Sequence, residues 1–344
     1  MRESSSSPST RKNFPGSNRA MYHSLSVIIP TRNRRTKLLK TLRQYSKQSQ
    51  PRNTFEIILV DDGSQVPVTE YVDPQAYAFN LKILRLQHHA GPAAARNAAL
   101  KHANHDVIVF TGDDIMPTRD FLIQHVRAHN THPDSHIAIL GYLEWAPNLK
   151  VNSLMRHVTE IGGDFFSFFR IQDHHNASYK YFFTSNISLK RDYLMASRER
   201  FCEKFTGAAH EDIELGYRLE KYHGLRVVFC KDILAYHNHG HSLATAYRRQ
   251  FIAGQTAVLF HLLHPEIFFD EYARFSQHSS SISWTLPRQF KDFHRRLEKE
   301  LADARRNEFH SRIFQELEYR FFSEVLSCAF QSGGASKIRE LSQP

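Results

Sequence analysis

The chain has 344 residues, a formal charge of +10 and 41% hydrophobic residues, 26 of its side chains being Phe, so it can bury a large core and is not a disordered polymer. Its three cysteines, Cys202, Cys230 and Cys328, are odd in number and far apart, which argues against a secreted disulfide framework or a cysteine-based zinc site and fits a reducing cytoplasm. No apolar signal-peptide core opens the sequence, and the longest apolar stretch, 251–269, is interrupted by Gly254, Gln255, Thr256, His261, His264 and Pro265, so a soluble chain without a membrane span is expected.

In chain order, residues 1–22 are polar and are expected to form a disordered tail. Short apolar runs at 25–29, 56–60, 81–86, 107–110 and 137–142 predict strands, and their β-branched content suits burial on both faces. Amphipathic segments at 35–45 and 92–103, the second opening with Pro92 and rich in alanine, predict crossover helices. A short helix is expected after Pro117. Residues 151–179 carry no clear period and read as a loop or lid with an aromatic cluster at 165–169. Strands are predicted again at 181–189 and 226–236, around a helix at 211–222, with a further helix beginning near Ser242.

Alternation of strand and helix predicts an α/β fold with a mostly parallel sheet over 23–262. A helical region follows over 263–344, with the likeliest linker or loop tip at 279–283. Its apolar stripe, Phe309, Ile313, Leu317, Phe321 and Val325, must pack on something; a helical cap, a dimer helix and a membrane-surface helix all fit the spacing.

Polar motifs stand at the predicted strand ends, where open parallel sheets gather their ligands. The first strand runs into PTRNR (30–34), a rigid turn that could hold a nucleotide or be a plain strand-to-helix turn. The second ends in VDDGS, where Asp62 could accept hydrogen bonds from a base or ribose, or close an Asp/Gly turn. In GPAAARN, Gly91 permits close backbone approach and Arg96 can reach toward phosphate or a structural carboxylate. The fourth strand ends in TGDDIMP, whose adjacent Asp113 and Asp114 repel each other unless a cation or donor offsets them. Mg²⁺ or Mn²⁺ is the natural offset, because such ions bind through one or two carboxylates plus substrate phosphates. Glu211 and Asp212 open a helix, as ordinary N-terminal acidic residues also do. In YHNHG the alternating His237, His239 and His241 could converge on one face of an extended segment. The remaining histidines, such as His125, His129 and His132, read as surface residues without a metal.

In this order PTRNR, VDDGS, GPAAARN, TGDDIMP, TSNISLKR (184–191), HEDIELGYRL and YHNHG resemble glycosyltransferase family 2 over about residues 24–262. The resemblance implies a GT-A fold and transfer of a sugar, with inversion, from a nucleotide-sugar donor to an acceptor hydroxyl of a glycan or lipid-linked glycan. It places Pro30, Thr31, Arg32, Asn33 and Asp62 at the nucleoside, with Gly91 and Arg96 also among the donor-binding residues and Asp113 near the ribose or supporting the metal. Asp114 would ligate Mn²⁺ or Mg²⁺, with His237 as a further ligand and His239 as the fallback. Asp212 would be the catalytic base, with Glu211 beside it. One departure is Gly112, where many relatives have a third Asp.

The donor expected by weight of the family is a UDP-sugar. An Arg such as Arg248 or Arg249 would help the departing diphosphate, and the enzyme would be cytoplasmic, with peripheral association at the inner membrane face left open. The basic charge alone also fits a noncatalytic protein that binds nucleic acid or anionic lipid, but Lys and Arg are scattered and no nucleic-acid motif accompanies them, so nucleic acid is not expected as a partner. A sugar nucleotidyltransferase would open on a glycine-rich phosphate loop, which the PTRNR turn lacks.

Overall fold

The computed structural model describes residues 22–161, 167–207, 209–267 and 308–341, together with a few isolated positions between 288 and 296. A nine-stranded mixed sheet forms its centre, in the order β3-β2-β1-β4-β8-β6-β9-β5, with β7 beside β9. The four strands β1 (Leu25–Thr31), β2 (Phe55–Asp62), β3 (Asn80–Leu86) and β4 (Val107–Thr111) run parallel. All eight residues of β2 are buried, and its centre, residues 57–60, is accordingly a continuous apolar run rather than an alternating one. Helix α1 (Arg35–Tyr45) follows β1, and α2 (Pro92–Leu100) follows β3 and ends three residues before the expected boundary. The crossovers carry the chain back so that the ends of β1, β2 and β4 meet at one edge.

The second half adds strands of both directions. After the short β5 (Ile115–Pro117) and α3 (Phe121–Thr131), β6 (Ile137–Trp145) runs parallel to β9 (Arg226–His237). Between β4 and β6 lies β8 (Asn186–Lys190), antiparallel to both. The expected strand over 181–189 therefore begins only at Asn186, because Tyr179–Tyr181 is a 3-10 turn. Where the β6–β9 register breaks between Gly141 and Tyr142, the Asn186 side chain donates to Tyr142 O (3.1 Å) and Ile233 O (2.9 Å). A side chain at Gly141 would collide with that amide. The break thus leaves no buried carbonyl orphaned at these two positions.

Asn186 Oδ1 also accepts from His125 Nε2 at 3.1 Å, and Ser188 Oγ lies 2.8 Å from both His125 Nδ1 and His129 Nε2. His125 and His129 are fully buried, which corrects their reading as surface residues. They stand four residues apart on the α3 face that also carries Leu122 and Val126, so helical spacing turns both rings into the core.

The aperiodic segment contains α4 (Ser153–Arg156), a single π-helical turn (His157–Ile161), a 3-10 turn (Phe168–Arg170) and β7 (Asn176–Ala177). Phe168 is buried against Tyr142, Phe183 and Phe229, so this part of the expected lid is core. Residues 165 and 166 of the aromatic cluster lie outside the described residues.

Helix α5 (Arg191–Ser197) follows β8, and α6 (Glu211–His223) begins where expected and ends on Gly224 in the left-handed region. Ser242 and Thr245 form a capping box that starts α7 (Leu243–Leu263). The last helix, α8 (Glu308–Leu341), packs along α7: Phe322, Val325, Leu326 and Ala329 are buried with Leu243, Ala246, Tyr247 and Leu154. Gly254 of α7 lies against the backbone of Phe330 and Gly334, and Gly333 of α8 lies against that of Phe251, so a methyl group at either glycine would push the helices apart. Phe321 and Val325 of the predicted stripe are among the buried residues; the side chains of Phe309, Ile313 and Leu317, the tail before residue 22 and the 279–283 linker lie outside the described residues. No described helix is long and apolar enough to cross a membrane.

Candidate active site

The strand ends, the starts of α2 and α6 and the middle of α7 surround a cavity of about 720 Å³. From the first strand, Pro30, Thr31, Arg32 and Arg34 line it; from the loop after β4, Gly112, Asp113 and Asp114. Glu211 and Asp212 approach from α6, and His237 and His239 from the end of β9. Asp62 and Arg96 also reach the wall. Folding therefore gathers most of the residues picked out in the sequence. His241 and Arg248 are not on the wall, nor are two further residues: Asn33 has a positive φ and ties the β1 turn to the β2 turn through Ser64 Oγ and the Gln65 N–H, and Gly91, φ 92°, is pressed against the Thr206 backbone.

The two neighbouring aspartates are held differently. Asp113 accepts a 2.6 Å hydrogen bond from Thr31 Oγ1 and one of 3.1 Å from Arg34 Nη1, while its own carbonyl accepts from Thr41 Oγ1. Burial first, and then the Asp114 charge, pushes the Asp113 carboxyl up to about 6, against the pull of Arg34 and Thr31. Asp114 goes the other way: burial raises it, but the His239 contact, His237 and Arg34 together hold it well below the usual carboxylate range. The two carboxyls are pulled apart in this way because like charges so close cannot both ionise cheaply without a cation.

Around Asp114 Oδ2 stand Arg34 Nη1 at 2.5 Å, His239 Nδ1 at 3.2 Å and His237 Nε2 at 3.8 Å. One ligand atom each from Asp114, His237 and His239 lies within 4.8 Å of the others. Burial lowers His237 to about 4, so its ring is neutral near pH 7, as a metal ligand must be. Of the two histidines, His239 is nearer the carboxylate, and both fit. At Gly112 a Cβ would come 3.2 Å from Asp114 Oδ1, so a third aspartate there would crowd the carboxylate already present.

Asp212 sits in the first turn of α6, where its Oδ2 accepts from both the Thr184 N–H and Oγ1 at 3.1 Å, and its Oδ1 from the Ile213 N–H at 2.8 Å. These donors fix the direction of the carboxylate at the helix N-terminus. Glu211 instead is 3% exposed and accepts from Arg96 Nη1 at 2.9 Å. Burial, then the Asp212 charge, raises Glu211 against that partner. Arg96 thus meets a structural carboxylate, one of the two roles its sequence position allowed.

Asp62 also carries structural duties. It accepts from the Ala90 and Gly91 N–H groups at 2.7 and 3.0 Å and lies 2.7 Å from His89 Nδ1, which pins the loop before α2. A carboxylate has about four lone-pair sites, so one remains for a ligand. Its neighbour Asp61 is spent within the fold on Ser64 N, Val68 N and Arg85.

Three contributors were not singled out as site residues in the sequence. Arg34 belongs to the quoted PTRNR motif, and its spacing from Thr31 was the available signal. Thr184 stands at the head of TSNISLKR. Phe330 of α8 completes the wall near Arg249, Gln250 and Ala253 of α7, and no local pattern announces it. Arg249 lines the cavity and Arg248 does not.

Burial holds His125 at about 3 and His210 at about 4, and pushes His129 down as well. In the unfolded chain these rings take up protons as the pH falls below about 6.5. The unfolded state then binds more protons, so stability is lost on acidification from about pH 6.5 toward 4. Asp113, raised to about 6, opposes this as a single group. The midpoint of guanidinium unfolding is expected to be lower at pH 5 than at pH 7; an equal or higher midpoint at pH 5 contradicts the burial of these rings in neutral form.

Residues 26–194 match the family described as glycosyl transferase family 2. The chain is 24% identical over 254 residues to the uncharacterized glycosyltransferase YfnE of Bacillus subtilis, covering 62% of this chain and 64% of YfnE. It is 34% identical over 90 residues to the Staphylococcus aureus poly(ribitol-phosphate) beta-N-acetylglucosaminyltransferase TarS, covering 26% of this chain and 16% of TarS. This chain therefore spans less than two thirds of either relative. In fold it is similar to TarS 1–349 in complex with UDP, with a TM-score of 0.52, 17% identity and 92% of both chains covered. It is also similar to the mannosyltransferase PcManGT of Pyrobaculum calidifontis in complex with GDP-Man and Mn²⁺, with a TM-score of 0.58, 17% identity, and 92% and 87% covered. Together with the strand-end motifs and the mixed sheet, these likenesses place residues 26–194 in glycosyltransferase family 2 and show that the chain has the GT-A fold.

Proposed function

We propose that the protein transfers a sugar, with inversion, from a nucleoside-diphosphate donor, a UDP-sugar by preference, to a hydroxyl of a glycan or lipid-linked glycan. The observation that carries this reading is the convergence of Asp114, Asp212 and His237 on one cavity from three distant stretches of chain. TarS, whose structures include complexes with UDP and UDP-GlcNAc, supports the choice of base.

Asp114, His237 and His239 are the residues that would hold Mn²⁺ or Mg²⁺; the carboxylate and two imidazoles suit Mn²⁺ the better. When bound, the ion neutralises charge on the departing diphosphate. Arg34, which pairs with both aspartates, and Arg249 add positive charge on the same wall. Asp212 takes the proton of the acceptor hydroxyl as its oxygen attacks the anomeric carbon from the face opposite the diphosphate, and no covalent sugar intermediate is needed. Thr184 and the Ile213 N–H hold the carboxylate in place for this, and Glu211, locked to Arg96, supports the start of α6.

Thermal unfolding with UDP-, GDP-, dTDP- and CMP-sugars, each with and without Mn²⁺, tests the reading, because a ligand that binds the folded state raises the midpoint by mass action. A UDP-sugar with Mn²⁺ is expected to give the largest rise. No rise with any sugar nucleotide would contradict the proposal.

A further inference from the structure

A second group of metal-type side chains lies away from the cavity. His132 caps the C-terminus of α3, His174 lies in the turn before β7, and Cys230 is in β9. One ligand atom from each lies within 4.8 Å of the other two, and Cys230 Sγ is 3.9 Å from His174 Nδ1. We propose that His132, His174 and Cys230 form a zinc-binding clip that fastens the 173–177 strap to β9 and the end of α3.

The ligand chemistry is selective. A thiolate with two imidazoles suits Zn²⁺ and is a poor match for Mg²⁺ or Ca²⁺, which take oxygen. Tetrahedral zinc, with bonds of about 2.3 Å to sulfur and about 2.0 Å to nitrogen, places its ligand atoms about 3.3 to 3.6 Å apart. The Cys230–His174 pair is near that spacing already, and modest rotation of the exposed His174 and half-buried His132 rings would close the rest. A fourth position is left for water, and Asp173 Oδ2, 3.7 Å from His174 Nε2, lies by the ring nitrogen that does not face Cys230, where it can orient the imidazole.

The backbone holds this arrangement from several sides. His174 has a φ of 57°, a left-handed conformation that most residues with a side chain avoid. It is kept there by its N–H donating to Phe229 O at 2.7 Å, by Phe229 N–H donating to His175 O at 3.2 Å, and by Lys231 N–H donating to Asp173 Oδ1 at 2.8 Å. These bonds fix His174 beside the β9 residue that follows Phe229. His132 is set by its N–H bond to Ala128 O, and its carbonyl accepts from Lys190 Nζ.

The surrounding charges are mixed. Lys190 and Arg226 act on His132, and Asp134 opposes them; Asp173 and Asp232 face Cys230. Burial first, then His174, Lys190 and Arg226, lower His132 against the pull of Asp134. Burial, then Asp173 and Asp232, pushes the Cys230 thiol up to about 12, so the free protein holds the protonated thiol. Metal binding at neutral pH would therefore release that proton to solvent as the Zn–S bond forms.

Cobalt(II) and zinc(II) titrations of the metal-free protein test this. Cobalt is expected to produce a thiolate-to-metal charge-transfer band in the near ultraviolet, which the Asp114, His237 and His239 cluster cannot give because it has no sulfur. Zinc should displace the band. Cys230→Ser should abolish it. His174→Asn, at an exposed position whose left-handed backbone asparagine accepts, should weaken binding more than about tenfold. The band should survive in Cys202→Ser and Cys328→Ser. No band in the wild type, a band unchanged in both Cys230→Ser and His174→Asn, or a band lost with Cys202 or Cys328 instead would overturn the proposal. Should Cys230→Ser fail to fold, the His174→Asn result decides alone.

Discussion

Asp212→Asn is expected to lower turnover by about 10²–10⁴-fold, the range that a positioned general base contributes, while nucleotide affinity stays near that of the wild type. The amide oxygen can still accept from Thr184 or Ile213, so the start of α6 keeps its geometry; the lost property is the ability to take a proton. Steady-state transfer and UDP titration, run on the same preparation, separate the two effects. Normal turnover in the variant would remove Asp212 as base. A parallel loss of nucleotide affinity would mean that the carboxylate helps to build the donor site instead.

Arg96→Met is expected to destabilise the fold by about 3–5 kcal/mol, because it leaves Glu211 buried without its cation. Both side chains are less than a tenth exposed, and the Arg96 guanidinium also lies over the Phe201 ring, 5.3 Å from its centroid. Adding Glu211→Gln to Arg96→Met should recover much of the loss, since the pair costs far more to break than to replace. Guanidinium unfolding of the two single variants and the double variant gives the coupling. Glu211→Gln alone carries a second reading: if it retains transfer in the folded fraction, Glu211 supports Asp212 and is not itself the base. An Arg96→Met variant as stable as the wild type would show that the pair is not buried as described.

The same pair illustrates what was and was not legible in the sequence. GPAAARN and HEDIELGYRL could each be seen as a polar strand-end or helix-start motif, but that Arg96 spends its charge on Glu211 follows only from the way α2 and α6 meet across 115 residues. The parallel strands β1, β2 and β4 were legible because each holds a short apolar run before turn residues, buried on both faces, while β3, with only Leu81 buried, still shows the apolar pair Ile83–Leu84. β5 and β7, three and two residues long, are too short to show any period.

His125 and His129 show a different failure. Their polarity suggests the surface, but their four-residue spacing beside Leu122 and Val126 puts them on the buried face. Their protons are satisfied from β8 by Ser188 and Asn186, partners that sequence separation hides. Asp62 and Asp113 were visible as acids at strand ends, but not how much of each is spent inside the protein, on the 89–91 loop and on Thr31 and Arg34. The cavity wall formed by α7 and Phe330 depends on a long-range return of the chain, for which local pattern offers no signal.

Central to the functional reading is a divalent ion held at Asp114 that grips the donor diphosphate. Calorimetric titration of UDP into the wild type and Asp114→Ala, each with Mn²⁺ and with chelator, addresses this directly. Mn²⁺ is expected to tighten UDP binding to the wild type at least about tenfold, a coupling of about 1.4 kcal/mol, and to leave Asp114→Ala unchanged. The same Mn²⁺-dependent gain in both proteins would contradict the account.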